Sequence, residues 1–501
     1  MKKYGDDDLI AQIDGETGEE ESYKAFLNKC IKLALYMKQQ GIQNGDIISI
    51  CSDNTMNNSA VFLASLFIGA INASTDPRFS VIEAKYLLGV VEPRMIFASE
   101  DTINLIKGAV EGENYKCKLI ALYKDDTLEN IPEILNQFTD KETEIYEPIF
   151  VNDTSSTACM MFSSGTTGLH KAARISHDAL CADFDAIFHN SLPYIIPQMR
   201  ITGYATLFSL CGVYFTLAPF FCGHIKVNIQ EYKPETMWDL IDKLKVNLIY
   251  LPYSQAMDSL PHLTHSLPHL KCLGIISGQI AAIYYKEYKD KLPNTHIVYG
   301  YGMTEIGFAT VQYGDCAVES SGKPVPKDVI FKIVDPDTET ALDLNTVGEI
   351  RIKNKTAMCG YYKNTTIDVW DNQGFLKTGD LGYFNEKYEL FIVDRIKEMF
   401  RFNGRHTIPA RIERILREHH AVLHATIIGI PINDNDHHAM GIVVLRDGYS
   451  VSADELINLV NDRMDVMHQI RAGIQFLADN EIPYTVTGKI DRRKLKQMYS
   501  N

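Results

Sequence analysis

The densest chemistry in this chain lies in Met161-Phe162-Ser163-Ser164-Gly165-Thr166-Thr167-Gly168-Leu169-His170-Lys171. Small, hydroxyl-bearing and glycine residues let a main-chain turn approach a polyphosphate closely, and their N–H and O–H groups then satisfy the phosphate oxygens. Lys171 adds a mobile positive charge. The spacing is not that of a Walker loop, and taken alone the run reads equally well as a flexible Ser/Gly turn. Three further segments carry complementary groups. Tyr299-Gly300-Tyr301-Gly302-Met303-Thr304-Glu305 combines an aromatic face for a base, a hydroxyl, and a carboxylate suited to Mg²⁺. Thr378-Gly379-Asp380 offers a carboxylate on a tight turn, suited to ribose hydroxyls. Tyr484-Thr485-Val486-Thr487-Gly488-Lys489-Ile490-Asp491-Arg492 presents a lysine directly after a glycine turn.

The elements that must position these groups alternate. Residues 23–37 place Phe26, Cys30, Leu33, Ala34 and Met37 at helical spacing, Ile47–Cys51 reads as a strand, 59–70 as an apolar helix, and Arg94–Ala98 as a strand. The same alternation runs through 237–251 and 270–276, which predicts an α/β domain with a largely parallel sheet. From 322 the texture changes to short strands, GKPVP, DVIFKIVD and GEIRIK, predicting a small β-rich unit that closes the large domain. IERILREH, ATIIGI, GIVVLR and 453–467 then predict a separate, small and mobile α+β C-terminal domain. The charged run Asp394-Arg395-Ile396-Lys397 lies between two strand-like patches. Expected domains are therefore 1–393 and 398–501, with a hinge over 394–397. Residues 204–222 carry no charge, but Gly212 and Pro219 interrupt them, and a buried helix or strand pair explains them better than a membrane span.

SSGTTGLHK, YGYGMTE, TGD, DRIKEMFRFNG and TGKIDR, in this order, resemble the adenylate-forming superfamily: acyl-CoA synthetases, 4-coumarate–CoA ligases, beetle luciferases and peptide-synthetase adenylation domains. The resemblance covers nearly the whole chain and is nearest to the 4-coumarate ligase/luciferase branch. Since that family starts slightly earlier, it implies a missing N-terminal helix. It further implies an ATP-dependent carboxylate–CoA ligase that forms an acyl-adenylate, releases pyrophosphate, and passes the acyl group to CoA. The resemblance assigns the β- and γ-phosphates to Ser163, Ser164, Gly165, Thr166, Thr167 and Lys171, and adenine stacking to Tyr301. It assigns the α-phosphate to Thr304, Mg²⁺ to Glu305, and the ribose to Asp380 and Arg395. Gly278 and Gly302 complete the nucleotide site. Lys489 is implied to bridge the substrate carboxylate and the α-phosphate. Rotation about Lys397 would then withdraw Lys489 and bring the Gly404 loop to a pantetheine tunnel. Each residue has a plainer reading: Tyr301 as core packing, Asp380 as a turn residue, Lys489 as a surface lysine.

Four departures from the family pattern bear on activity. His170-Lys171-Ala172 replaces Pro-Lys-Gly, which loosens a turn and strains Ala172 if its φ is positive. Ser209 stands where a histidine is usual and cannot carry that positive charge. Gln279 and Ile280 replace small residues and should narrow the acyl pocket or move the adenine. Arg411 replaces an acid. These changes keep a nucleotide-binding pseudoenzyme open beside the ligase; a luciferase-like monooxygenase is a further alternative because that activity occurs in the resembling branch, although Ser209 counts against luciferin use. A stand-alone amino-acid adenylation domain fits less well.

The charge balance, 49 Lys+Arg against 64 Asp+Glu, leaves −15, which disfavours nucleic-acid binding and gives no pull toward anionic membranes. The ten cysteines show no CxxC pair or zinc spacing and read as reduced, mostly buried thiols. Histidines 262, 265 and 269, and 419, 420, 424, 437 and 438, read as surface residues rather than metal ligands. The N-terminus turns acidic where a secretory leader needs its apolar stretch, and Tyr499-Ser500-Asn501 is not an S-K-L-type address, so a cytoplasmic location is expected, although the resemblance also admits the peroxisome. Expected partners are a small carboxylic acid, ATP and CoA.

Overall fold

The computed structural model describes residues 9–164, 170–186, 196, 198–278, 280–312, 316–325, 328–363, 369–403, 405–433, 436–484 and 490–499. Two sheets carry the large domain. The wider runs, in spatial order, through Lys323–Pro324, Gly307–Gln312, His296–Met303, Cys272–Ile276, Leu248–Pro252, Arg200–Gly203, Ile225–Asn228, Ile10–Asp14 and Glu20–Ser22. Six consecutive strands, from His296–Met303 to Ile10–Asp14, run parallel, and antiparallel strands extend the sheet at both ends. The second has six strands and ends in the antiparallel hairpin Thr157–Ser164/His170–Ser176.

Helices Tyr23–Gln39, Met56–Phe67 and Leu210–Cys222 fill the space between the sheets. One core cluster joins Phe26, Phe62 and Phe220 of these helices to Ile50 of one sheet and Tyr250 of the other. Local sequence sets their ends. Ser22 accepts from the Ala25 amide at 3.2 Å, and Ser209 from the Gly212 amide at 3.1 Å, each satisfying an amide left open at a helix start. Gly223, at φ +73°, ends the helix Leu210–Cys222 in the left-handed conformation a glycine adopts without strain. The uncharged segment 204–222 is thus one buried helix of 13 residues, Leu210–Cys222. Among the described residues, no helix is long and apolar enough to cross a membrane.

An antiparallel sheet, Ile330–Val334, Gly348–Lys353, Leu376–Phe384 and Leu390–Arg395, forms the small β-rich unit. GKPVP lies outside it: Lys323–Pro324 pairs with Gly307–Gln312 at the edge of the wide sheet. The C-terminal domain packs three strands, Val422–Pro431, His437–Leu445 and Ile470–Phe476, against helices Pro409–Arg417 and Ala453–Asn461.

Two surface expectations are corrected. Among the described residues, which include all ten cysteines, no disulfide forms. Cys30, Cys51, Cys159 and Cys272 are buried; Cys117, Cys211, Cys222 and Cys316 are half-buried at core margins or in loops, and Cys181 and Cys359 are exposed. His419 and His424 are not surface residues: their side chains are 13% and 12% exposed, held beside Glu455 and Asp479.

Over the expected hinge, the strand Leu390–Arg395 runs through Asp394, and Ile396–Glu398 makes one 3₁₀ turn. Asp394 ties the two halves of the chain together. Its carboxylate accepts from the Ala410 amide at 2.8 Å, at the start of the helix Pro409–Arg417, and from the Arg395 amide at 2.7 Å. Below it Arg492 pairs with Glu413 at 2.9 Å. Burial pushes the Asp394 carboxyl up to about 6, against the opposing pull of Arg492. Between about pH 4 and pH 6 the folded chain therefore binds more protons at Asp394 than the unfolded chain does, and this group's contribution to stability falls as pH rises through that window. Asp394→Asn is expected to gain about 1–3 kcal/mol relative to the native chain between pH 4 and pH 7. Urea unfolding at the two pH values reads that change, and a constant difference would contradict it.

Candidate active site

The hairpin Thr157–Ser164/His170–Ser176 sets Ser163 opposite Lys171 across its two strands. Next to it the chain passes a second time: Tyr361 bridges to Ala173, and the Tyr362 amide donates to the Ala172 carbonyl at 2.8 Å. That pairing brings Lys171 Nζ over the Tyr361 ring, 5.5 Å from its centroid. The Tyr361 hydroxyl donates to Glu305 Oε1 at 2.7 Å, and the Ser163 hydroxyl also reaches it. Burial, then the charge of Glu305, raises the Tyr361 phenol well above its ordinary range, so it stays a donor at neutral pH. Glu305 is only 6% exposed, in the turn after the strand His296–Met303. A hydroxyl, a cation and a buried carboxylate thus meet around one phenol.

A second cluster starts from the same strand. Tyr301 donates its hydroxyl to Asp380 Oδ2 at 2.6 Å, and Arg395 donates Nε–H to Oδ1 at 3.1 Å. Asp380 and Arg395 are cross-strand partners, so backbone register alone holds them together. The expected tight turn is not there: Thr378-Gly379-Asp380 lies within the strand Leu376–Phe384, where Gly379, at φ +70°, sits at a register irregularity that aims this carboxylate, and the Thr378 hydroxyl accepts from the Asp380 amide at 3.1 Å. Burial, then the adjacent charge of Asp380, pushes the Tyr301 phenol up. Asp380 retains lone pairs beyond the two already engaged, which leaves it able to accept from further hydroxyls.

Thr304 is half-buried beside Glu305, and Gly302 lies where a Cβ would come within 2.6 Å of the Gly307 carbonyl. Gly278 packs on Tyr253, 2.7 Å from any added Cβ, and follows Ser277, a non-glycine residue held at φ +64°. Such backbone strain persists only where the surroundings impose it. Lys397 is exposed on the 3₁₀ turn that follows Arg395, and partial desolvation, with the charge of Arg395, lowers its affinity for a proton. Lys489, Gly165, Thr166, Thr167, Gly404, Gln279 and the side chain of Ser164 lie outside the described residues.

The departures take structural roles. His170 meets Phe208 and Phe79 edge-on, each at 5.6 Å, and Phe208 stacks on Phe162. Ala172 is a regular residue of its strand and is not at positive φ, so the expected strain is absent there. Ser209 is the helix cap already described. Ile280 does not narrow the pocket: it is buried with Tyr284 and Tyr288 in the cluster on the opposite face of the wide sheet. Arg411 is exposed on its helix. Sequence reading missed Tyr361, whose only local signal is an aromatic pair following Gly360 at φ +108°.

The C-terminal domain contacts the large domain at the helix Ala282–Lys291, on the opposite-face cluster. Tyr284 donates its hydroxyl toward the Val422 and Leu423 carbonyls at 3.3 and 3.2 Å, and the Arg446 guanidinium lies 4.6 Å from its ring centroid. A cavity of about 220 Å³ remains between Gln255 and Asp258 on one side and His424, Asp479 and Tyr484 on the other.

Residues 2–362 match the AMP-binding enzyme family and residues 411–489 the AMP-binding enzyme C-terminal domain. The chain is 28% identical to a luciferin 4-monooxygenase of Photuris pensylvanica, covering 100% of this chain and 94% of that protein. It is 27% identical to a probable 4-coumarate–CoA ligase 1 of Dictyostelium discoideum, covering 98% and 92%. Its fold matches that of ATP-bound MatB from Rhodopseudomonas palustris with a TM-score of 0.87 at 19% identity, over 99% of this chain and 97% of that one.

The Tyr361–Glu305 bond, buried and charge-assisted, should show in a double-mutant cycle. Tyr361→Phe and Glu305→Gln are expected to couple by about 1–3 kcal/mol in denaturant unfolding. Additive effects would show that the two side chains do not meet in solution.

Proposed function

We propose that this chain, which belongs to the AMP-binding enzyme family and through it to the adenylate-forming superfamily, is an ATP-dependent carboxylate–CoA ligase. The observation that carries this reading is the convergence on one strand, His296–Met303, and its following turn, of both clusters: Tyr301 with Asp380 and Arg395, and Glu305 with Tyr361 and Lys171.

The chemistry follows from the substrate. A carboxylate is a poor acyl donor because its leaving oxygen is strongly basic. One carboxylate oxygen attacks the α-phosphorus of ATP, the bond from that phosphorus to the bridging oxygen breaks, and pyrophosphate leaves. The CoA sulfur then attacks the acyl carbon, AMP departs with the former carboxylate oxygen, and the thiol proton is released. In the first step an anion must approach a polyanion, so the protein's work is positioning and positive charge rather than base catalysis. Lys171 and Ser163 hold the outer phosphates, Tyr301 and Asp380 with Arg395 hold the nucleoside, and Thr304 meets the α-phosphate. Lys489 neutralises the charge that builds between carboxylate and α-phosphate. Glu305 suits Mg²⁺, which takes one or two protein carboxylates and fills its remaining positions with phosphate oxygens and water; when bound, the ion neutralises phosphate charge.

One observation favours a second reading. Ser209 is committed to capping a helix and brings no cation to the carboxylate, as a nucleotide-binding pseudoenzyme would tolerate. The luciferase relatives share the same first step, so adenylation is common to both active readings.

Pyrophosphate release with ATP, Mg²⁺ and a panel of carboxylic acids, with and without CoA, separates these readings. Release stimulated by CoA supports the ligase. Release indifferent to CoA points to another adenylate-forming activity, and no release, with nucleotide-induced stabilisation, supports the pseudoenzyme. Lys489→Ala is expected to lower pyrophosphate release by about 100-fold or more while leaving the ATP-induced shift in Tm nearly intact, because its contacts form mainly in the transition state. An unchanged rate would remove Lys489 from the mechanism.

A further inference from the structure

Inner strands of a wide sheet covered by helices should be sealed on both faces. On one face these are: Ile249, Leu251, Leu273, Ile275, Ile297 and Tyr299 are at most 4% exposed. On the face toward the helix Leu210–Cys222, Leu248, Tyr250 and Cys272 are buried, but the positions nearer the carboxyl ends open: Gly274 and Val298 are partly accessible and Gly300 and Gly302 are exposed. A cleft therefore enters the domain at the carboxyl ends of the parallel strands, where ligands of such sheets bind, and its mouth is the turn bearing Thr304 and Glu305.

Gly274, Val298 and Gly300, described residues along this cleft, carry no charge. The nearby buried acid Asp183 is engaged by the Tyr214 hydroxyl. Backbone at the glycine positions gives flat surfaces against which a planar or narrow group can lie.

The inner end is closed by an aromatic stack. Tyr250, 2% exposed, lies flat on the backbone of Gly203, where an added Cβ would collide with its ring carbons. Phe215, from the helix Leu210–Cys222, stacks on it with centroids 3.9 Å apart and planes 20° from parallel. Phe215 in turn meets Phe308 edge-on at 6.4 Å, and Phe308 pairs with Gly302 at the mouth. Gly203 and Gly274 flank Tyr250 in register on either side, which leaves the phenol as the side chain that fills this level of the sheet.

We propose that Tyr250, braced by Phe215, is the end wall of the acyl pocket and sets the longest acid the enzyme accepts, restricting it to compact, uncharged monocarboxylic acids such as short aliphatic or single-ring ones. The inference rests on the carboxylate-activating reading above.

The test is pyrophosphate release by the full chain with straight-chain acids of increasing length and with benzoic and cinnamic acids, comparing wild type with Tyr250→Ala, Tyr250→Leu and Tyr250→Phe. Wild type should show a sharp length cut-off. Tyr250→Ala and Tyr250→Leu should move it to longer acids, with kcat/KM for the first excluded acid rising about tenfold or more, the scale of one methylene in an apolar pocket. Tyr250→Phe should keep the wild-type cut-off, because the wall keeps its shape. If Tyr250→Ala does not fold, Tyr250→Leu, which retains most of the buried apolar volume, reads the same shift, and Phe215→Leu does so through the brace. A cut-off unmoved in every folded variant overturns the inference while leaving the activity reading intact. No pyrophosphate from wild type with any acid overturns the activity reading instead. The end wall is then read from the length dependence of acid-induced stabilisation in the presence of ATP: a cut-off that shifts in Tyr250→Leu supports it, and no shift or no stabilisation overturns it.

Discussion

A buried carboxylate has to keep hydrogen-bonding partners without being fully neutralised if it is to receive anything else, and much of this chain's architecture answers that requirement. Glu305 and Asp380 are each 6% exposed. Each is held by a tyrosine hydroxyl, a donor that satisfies an oxygen without bringing charge. Arg395 reaches only one oxygen of Asp380 and remains 44% exposed, so the pair is oriented rather than sealed. Both tyrosines depend on strand pairing for their positions: Tyr301 on the wide sheet, Tyr361 on its bridge to the phosphate hairpin. One phenol thus ties the wide sheet to the strands of the small β-rich unit, and the other ties it to the phosphate hairpin.

The same logic explains how an acidic protein can take in polyanions. A balance of −15 repels ATP at long range, so attraction has to be local, and Lys171 and Arg395 bring positive charge to the two clusters. Lys171 is held over an aromatic face and, among the described residues, in no ion pair, which keeps its charge available. Asp394 adds the mechanical element: by accepting from the Ala410 amide it fastens the end of the β-rich unit to the first helix of the C-terminal domain.

What the sequence made legible, it made legible through contiguity. Glu305, Tyr301 and Gly302 fall in one seven-residue run, and Thr378-Gly379-Asp380 in another, so their chemistry could be read from neighbours along the chain. The alternation of helix and strand was equally clear, because apolar positions recur with period and helix starts carry serine caps. Tyr361 was not legible, since its meaning comes from pairing with Ala173, 188 positions away (361 − 173), and nothing local encodes that register. The roles of His170 and Ser209 were hidden for the same reason: a substitution that looks like a lost catalytic group along the chain is an aromatic packing partner or a helix cap in space. Ile280 misled because the residue after a strand end can turn to either face of the sheet, and here it turns into the opposite core.

The edges of the wide sheet carry a consequence for how the protein behaves in a crowded solution. Nine strands make a broad surface, and an unguarded margin of main-chain donors and acceptors is a template on which another chain can add a strand. One margin here ends in Lys323–Pro324, two residues long, where the proline offers no N–H; the other ends in Glu20–Ser22, three residues long with two adjacent acids. Neither margin is long, flat or apolar enough to recruit a further strand. GKPVP, which looked like the start of a separate unit, therefore acts as a stop that lets a large enzyme keep an open sheet without polymerising through it.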